Sequence, residues 1–195
     1  MTRNQVTIVV PIAPGEEEWA GLLSQIRDFP AEIILSFADD SPREDVATAA
    51  VHIIHGPAGR AAQINRAVRI ASHPWVWVLH ADSRFEEPLQ GWPESFGKLD
   101  QDVLYYSPIK FLEPRHPLLR LNEIGVEFRS KILQLPFGDQ GFLFHRRIWQ
   151  KLGEFSETAP YGEDHLFAWK WRQSHRPLQA LPFSLGTSAR KYTKK

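Results

Sequence analysis

Short runs of apolar residues alternate along the chain with stretches in which apolar residues recur at helical spacing. The runs are far shorter than the roughly 20 apolar residues that a membrane-spanning helix needs. Consecutive residues of a strand point to opposite faces of the sheet. Because consecutive residues of these runs are apolar, the runs are typical of strands buried on both faces. In the first half of the chain they predict strands over Val6–Ile12, Glu32–Phe37, Val51–His55 and residues 75–79.

The stretches between these strands have the period of helices. Apolar residues from Trp19 to Ile26 form one stripe, and those from Ala61 to Ala71 form another. We expect Glu16, Glu17 and Glu18 in the first turn of the earlier helix, where the helix dipole favours acidic side chains. The alternation of strands and helices predicts right-handed crossovers and a mainly parallel sheet flanked by helices. We therefore expect the α/β class and, in the absence of repeats or linkers, a single domain.

The second half of the chain continues the alternation less regularly. We expect helices over residues 88–99 and 117–135, a strand over residues 103–112, a strand over Phe142–His145, the helix Arg146–Leu152, a helix opening at Glu163, and a strand over residues 178–185. The stretch 117–135 is amphipathic and could face a lipid-linked acceptor or a membrane. Packing against a core is the alternative that we favour for it, because most amphipathic helices do so.

Composition limits the classes of function. The 195 residues include 43% hydrophobic residues, which favours a folded core over disorder. With 23 basic and 23 acidic residues the formal net charge is zero, so nothing suggests nucleic-acid binding. No cysteine is present, which excludes disulfides, zinc–thiolate sites and cysteine nucleophiles. We expect a cytoplasmic protein without a transmembrane segment. A peripheral location on the inner face of the membrane is the alternative.

Candidate chemistry begins where the strand at residues 75–79 ends, in His80-Ala81-Asp82. A carboxylate beyond the carboxyl end of a parallel strand points into the crevice where open α/β sheets bind ligands. There Asp82 could hold Mg²⁺ or Mn²⁺, which prefer oxygen ligands and share them with phosphates. The alternative is that Asp82 only caps the following turn.

Three further stretches carry polar residues that could contact a ligand. Gly59 leads into a helix whose backbone N–H groups could bind an anion, and Arg60 and Asn65 could contact a nucleotide or its phosphates. Neither a Walker loop nor a dinucleotide fingerprint is present there, and a plain loop before a surface helix is the alternative.

The glycines that flank Asp139 and Gln140 suggest backbone close to a ligand, although a simple turn would explain them. Glu163 and Asp164 are either dipole partners of a helix or carboxylates that divide structural and general-base roles.

The order of these motifs is more specific than any one of them. They are Pro11 at the end of the first strand, Asp39-Asp40-Ser41 after the second, the segments 59–65 and 80–84, the turn 138–141, Gly162-Glu163-Asp164, and residues 187–190. This order resembles the family 2 glycosyltransferases of the GT-A fold. Within them, the chain is most similar to a small bacterial subgroup described as radical-SAM/selenodomain-associated.

The resemblance implies a nucleoside-diphosphate sugar as donor, a UDP-sugar above all, a divalent metal (Mn²⁺ or Mg²⁺), and inversion at the sugar. Asp82 matches the metal-binding position of the Asp-x-Asp motif, in which His80 replaces the first Asp. Asp164 matches the general base. The implied nucleotide-sugar site contains Pro11, Asp39, Asp40, Arg60, Asn65, His80, Asp82 and Arg190, and the implied sugar and acceptor pocket contains Gly138, Asp139, Gln140 and Glu163. The acceptor is unknown and could be lipid-linked.

Three other functions remain open from the sequence. A nucleotidyltransferase would begin with a Gly-rich turn, whereas the turn after the first strand is acidic. A phosphatase with an Asp nucleophile needs an Asp where His80 stands. A protein that binds a nucleotide sugar without turning it over is the third alternative, and it would bind UDP but never consume the sugar donor.

Overall fold

The computed structural model describes residues 5–39, 46–85, 98–111, 136–159 and 161–187. Asp40, Arg190 and the predicted helix over 117–135 lie outside these ranges, as does nearly all of the predicted helix over 88–99. The described elements are β1 (Val6–Ile12), α1 (Trp19–Ile26), β2 (Glu32–Phe37), β3 (Val51–His55), α2 (Arg60–Ile70), β4 (Trp75–Val78), β5 (Arg84–Phe85), β6 (Leu104–Tyr106), β7 (Ile109–Phe111), a 3₁₀ turn (Gly138–Gln140), β8 (Phe142–His145), α3 (Arg146–Leu152), α4 (Glu163–Gln173), β9 (Leu178–Ala180) and β10 (Leu185–Thr187).

Seven strands form one sheet in the order β3-β2-β1-β4-β8-β6-β9. The four strands from the first half of the chain pair in parallel with one another. β8 is antiparallel to both of its neighbours, β4 and β6, while β9 pairs in parallel with β6. The predicted α/β class and mainly parallel sheet are therefore confirmed. A second sheet has the order β5-β10-β7.

Two predicted strands are each divided in the structure. The stretch 103–112 forms β6 and β7, and the stretch 178–185 forms β9 and the first residue of β10. In both cases the earlier strand joins the large sheet and the later one joins the small sheet. A proline, Pro108 or Pro182, lies at each break. Because proline has no N–H to donate to a ladder, the chain leaves one sheet there and enters the other.

The start of the first helix also differs from the prediction. α1 begins at Trp19 and has no acidic residue in its first turn, so Glu16, Glu17 and Glu18 precede it. The Glu16 side chain accepts a hydrogen bond from the backbone N–H of Glu18, at 2.9 Å. The Glu18 carboxylate in turn pairs with the guanidinium of Arg84. The side chains of Glu16 and Glu18 are therefore engaged by a local backbone contact and by Arg84, respectively.

The central strands of the large sheet are buried on both faces, which explains why they are mostly apolar, whereas the edge strands β3 and β9 are partly exposed. On one face, alternate residues of β1 pack with Leu22 and Ile26 of α1. On the other face, Val9 packs in a cluster with Ile64 of α2 and Phe167 of α4. Among the described helices, none combines the length and apolar character needed to cross a bilayer.

The strand order places a crevice beside β1. The chain moves outward from β1 to β2 and β3, then returns through α2 to β4 on the opposite side of β1. Open α/β sheets bind ligands at such a reversal, outside the carboxyl ends of the strands. Residues after β1 and β4 and at the start of α2 are therefore brought to one edge of the sheet.

Candidate functional site

A cavity of about 450 Å³ lies at this edge. Its wall combines charged, imidazole and aromatic side chains from four separate parts of the chain. The lining residues are Arg60, His80, Phe137, Asp139, Tyr161, Gly162, Asp164 and His165. They come from the start of α2, the end of β4, the 3₁₀ turn and the start of α4.

Asp164 is held in the cavity wall by backbone donors. The N–H of Gly138 donates to Oδ2 at 2.6 Å, and the N–H of His165 donates to Oδ1 at 2.7 Å. The side chain is only 15% exposed. Gly162, whose φ of 72° favours glycine, turns the chain immediately before α4 and so presents Asp164 in the first helical turn. The carboxylate thus has a defined position, and each oxygen keeps a further lone pair for a ligand.

Arg60 is the first residue of α2 and faces the acid pair. Its Nε lies 3.5 Å from Oε1 of Glu163, and its Nη1 lies 3.9 Å from Oδ2 of Asp164. Within the described part of the chain, Nε and Nη2 are buried without a hydrogen-bond partner. Gly59, with φ of 131°, provides the backbone turn that brings α2 and Arg60 to this position.

Gly138 occupies the point where Arg60 and Asp164 come together. A Cβ placed there would lie 2.5 Å from Oδ2 of Asp164 and 2.8 Å from Nη2 of Arg60. Only a residue without a side chain therefore lets the backbone N–H reach the carboxylate while the guanidinium stays beside it. At residues 138–141 we predicted backbone close to a ligand. In the structure, the backbone at Gly138 is close to the side chains of Asp164 and Arg60.

His80 and Asp82 lie in a tight turn directly after β4. The N–H of Leu79 donates to the carbonyl of Val9 at 2.9 Å, and the N–H of His80 donates to Oγ of Ser83 at 3.2 Å, so the turn is tied to the central strands. Nδ1 of His80 lies 3.9 Å from Oδ1 of Asp82, and the two side chains are 13% and 14% exposed. His80 lines the cavity, and Asp82 lies next to it through this contact.

The donor set at this turn fits a divalent cation that also binds a phosphate. In the described ranges, no group of three or more His, Asp or Glu side chains could hold a metal by itself. Mg²⁺ is commonly held by only one or two carboxylates together with substrate phosphates, and carboxylate donors also suit Mn²⁺. Asp82 therefore offers one carboxylate of the kind that such a shared site uses, with the imidazole of His80 beside it.

Asn65 does not reach the cavity. Its side chain is fully buried, Nδ2 donates to the carbonyl of Phe155 and to Oε1 of Glu157, both at 2.9 Å, and Oδ1 accepts from the N–H of Phe155 at 3.0 Å. The amide is thereby occupied in joining α2 to the segment before α4. The structure gives Asn65 this structural role in place of the predicted nucleotide contact.

Gln140 also differs from its predicted role in the pocket. It is 1% exposed, its Oε1 accepts from the N–H of Phe137 at 2.8 Å, and its Nε2 donates to the carbonyl of Ser107 at 3.3 Å. Gln140 therefore stabilises the 3₁₀ turn by hydrogen bonds and does not face the cavity. Its neighbour Asp139 is the residue of the pair that lines the cavity.

Pro11, Asp39 and Glu163 do not appear in the cavity wall as the structure describes it. Pro11 is buried in β1 opposite Ser36 of β2. Asp39 follows β2, and its carbonyl is in contact with Nδ1 of His55. Glu163 acts through its contact with Arg60.

Three lining residues were not identified from the sequence: Phe137, Tyr161 and His165. The rings of Phe137 and His165 meet edge to face with centroids 5.4 Å apart, and Tyr161 is 90% exposed at the cavity mouth. The position of His165, directly after Asp164 at the predicted start of a helix, was a usable signal. Phe137 and Tyr161 carry no chemical motif, and only the folded chain shows that they are close to Asp164.

Solved structures of glycosyltransferases share this fold. The mannosyltransferase PcManGT of Pyrobaculum calidifontis, solved with GDP-Man and Mn²⁺, is 18% identical with a TM-score of 0.71, over 97% of this chain and 58% of its own. GalNAc-T7, solved with UDP, GalNAc and Mn²⁺, is 13% identical with a TM-score of 0.68, over 94% and 44%. Residues 1–349 of S. aureus TarS are 14% identical with a TM-score of 0.73, over 95% and 60%.

These likenesses show that the chain has the GT-A glycosyltransferase fold. The chain spans between 44% and 60% of the length of these three structures. No protein-family model matches the chain, and no curated protein matches it in sequence.

Proposed function

We propose that this chain is a metal-dependent glycosyltransferase that moves a sugar from a nucleoside-diphosphate sugar to an acceptor hydroxyl with inversion. The observation that carries the proposal is Asp164, a carboxylate oriented by two backbone N–H groups in the wall of a cavity at the switch point of a GT-A sheet. The guanidinium of Arg60 and the imidazole of His80 line the same cavity, and Asp82 lies beside His80. GDP-Man with Mn²⁺ in one structural neighbour, and UDP, GalNAc and Mn²⁺ in another, agree with this assignment.

In the proposed reaction Asp164 acts as the general base. An acceptor oxygen forms a bond to the anomeric carbon of the donor and passes its proton to Asp164, while the bond from that carbon to the diphosphate breaks. The hydrogen bonds from Gly138 and His165 keep the carboxylate fixed, so little reorganisation is needed during proton transfer. A positioned base of this kind contributes about 10²–10⁴-fold to the rate.

The leaving diphosphate takes up negative charge, and two parts of the site can respond to it. Arg60 supplies a guanidinium beside the cavity, and the N-terminus of α2 supplies the positive end of a helix dipole. His80 and Asp82 would hold the divalent cation, which when bound neutralises charge on the diphosphate.

The finer assignments follow from the sequence and remain proposals. They are a UDP-sugar as the donor, a hexosyl group as the transferred sugar, and membership of the radical-SAM/selenodomain-associated subgroup. The neighbours include one complex with GDP-Man and one with UDP, so donor screens should contain both nucleotides. The acceptor, which could be lipid-linked, is part of the same proposal.

Two carboxylate variants test the proposed function. Calorimetry would measure the binding of UDP and GDP with and without Mn²⁺, and a second assay would follow consumption of UDP-sugars and GDP-sugars. Asp82→Asn is expected to lose the part of the affinity that depends on Mn²⁺. Asp164→Asn is expected to bind the nucleotide at least as tightly as the native protein and to lose about 10²–10⁴-fold in transfer.

Asp102→Asn is the matched control, because its carboxylate is half exposed and contacts Arg147 and Arg176 away from the cavity. It should change neither binding nor transfer. If the protein binds a nucleotide but never consumes a nucleotide sugar, a binding protein without turnover replaces the enzyme. Unchanged Mn²⁺-dependent affinity in Asp82→Asn would remove the metal role given to that residue.

A further inference from the structure

The ion pairs that Arg60 makes with the acid pair are long. Its distances of 3.5 Å to Glu163 and 3.9 Å to Asp164 exceed the 2.7–2.9 Å that is usual for a charge-assisted hydrogen bond. Within the described chain, two of its three guanidinium nitrogens are buried without a hydrogen-bond partner. A buried donor left unsatisfied is unfavourable, because it has lost its hydrogen bonds to water without replacing them. Arg60 is therefore attracted by the acids, but they do not satisfy the hydrogen-bonding capacity of its guanidinium.

Arg69, on the same helix, shows what a saturated pair looks like in this protein. Its Nε donates to Oε1 of Glu154 at 2.9 Å, and its Nη2 donates to Oε2 of the same carboxylate. This bidentate pair lies at the surface, where Arg69 is 52% exposed. The looser contacts of Arg60 are therefore a property of its position and not of arginine pairs throughout the structure.

Asp164 does not depend on Arg60 for its position. Gly138 and His165 hold its two oxygens through backbone N–H groups at 2.6 Å and 2.7 Å. If the guanidinium moved toward another anion, the carboxylate would keep its place and would lose only a neighbouring positive charge. Arg60 is 30% exposed and lines the cavity, so an anion in the cavity can reach it.

We propose that Arg60 is shared between the acid pair and the diphosphate of the donor, so that donor binding draws it away from Glu163 and Asp164 and leaves Asp164 available to accept the acceptor's proton. This inference rests on the proposed function for the identity of the anion. Arg60 then contacts the donor directly and couples the two halves of the site. The donor binds first, and the base is released only when a donor is present, which limits proton transfer in its absence.

Competition of this kind has a thermodynamic signature. If the acids and the diphosphate compete for one guanidinium, neutralising an acid must tighten diphosphate binding, because linkage between sites is reciprocal. Glu163→Gln is the suitable variant, since Glu163 contacts Arg60 but does not line the cavity as described. It is close in size to the native residue and leaves the proposed base in place.

The experiment is a double-mutant cycle on UDP and GDP affinity, measured by calorimetry with Mn²⁺. Glu163→Gln is expected to tighten binding of whichever nucleotide the protein takes by about five-fold or more. In the Arg60→Gln background the same change is expected to have no effect. Glu154→Gln, which neutralises the surface partner of Arg69, is the control and should leave affinity unchanged in both backgrounds.

The outcomes separate this inference from the proposed function. If the wild-type protein binds neither nucleotide, the proposed function fails and this inference fails with it. If it binds one but Glu163→Gln does not tighten binding, or tightens it equally without Arg60, only the sharing of Arg60 is overturned. If Arg60→Gln does not fold, Arg60→Lys replaces it, and a tightening reduced by that substitution supports the inference, because a lysine cannot form the same two contacts.

Discussion

Asn65 lies in the middle of α2 with no exposed surface, and its amide makes three hydrogen bonds across to residues 155–157. A motif placed it beside Arg60 in the nucleotide site, but five positions along a helix turn its side chain away from the face that Arg60 occupies. Arg60 and Asp164, in contrast, do line the cavity. Two members of one sequence motif can thus have different roles: Arg60 lines the cavity, whereas Asn65 makes a packing contact.

Replacing Asn65 should affect stability and not nucleotide binding. Asn65→Ala leaves the buried N–H of Phe155 without its acceptor, so we expect the free energy of unfolding to fall by about 1–3 kcal/mol. Denaturant unfolding would measure this, with Arg69→Gln as a control at an exposed position of the same helix. A folded Asn65→Ala protein that had lost its affinity for UDP or GDP would restore the predicted nucleotide contact.

Among the elements, α3 depends on a histidine at its first turn. His145 precedes the helix, and its Nδ1 accepts a hydrogen bond from the N–H of Arg147 at 3.2 Å. Burial, together with the positive charges of Arg147 and Arg146, lowers the pKa of His145 below its usual 6.5, against a smaller opposing effect of Asp102. The unprotonated ring is therefore both the favoured form and the form that can cap the helix.

This cap makes stability depend on pH in a definite direction. The folded state resists protonation of His145. The stabilisation that the unprotonated His145 gives to the folded protein is therefore complete above the usual pKa of 6.5, and it is lost as pH falls from there through the lowered pKa. His145→Asn keeps a capping oxygen without titrating, and we expect it to flatten the decline of the melting temperature in this range. Thermal unfolding of both proteins across this pH range would test it, and an unchanged slope would contradict it.

At the scale of the whole molecule, the two hydrophobic clusters lie on opposite faces of the same strands. Ile8 and Val10 of β1 belong to one cluster, while Val9 belongs to the other. Leu185 and Phe85 bring the small sheet into the first cluster. Neither face can lose its packing without exposing strands that the other face also needs.

We therefore expect one cooperative unfolding transition. Scanning calorimetry should give a calorimetric enthalpy equal to the van't Hoff enthalpy, which is the test of two-state unfolding. The transition should move to a higher temperature as a whole when a nucleotide binds, because a ligand of the folded state stabilises every part that unfolds with it. Two separate transitions, with only one responding to nucleotide, would divide the chain into two units.

From the amino-acid pattern alone, the class of the fold could be predicted, and so could the bounds of elements whose patterns are local. β1, β2, β3, β8 and α3 have the bounds predicted from apolar runs and from helix-ending glycine, because burial on both faces and the dihedral needs of glycine act over a few neighbouring residues. The amino-acid pattern also indicated Arg60, His80, Asp139 and Asp164, which line one cavity.

How those residues are used could be seen only in the folded chain. Arg60 meets the acids at 163 and 164 across about a hundred positions, Asn65 is enclosed by residues 155–157, and two predicted strands are divided between two sheets. Each of these results depends on which distant segments pack together, and that is a property of the whole core that no local pattern contains.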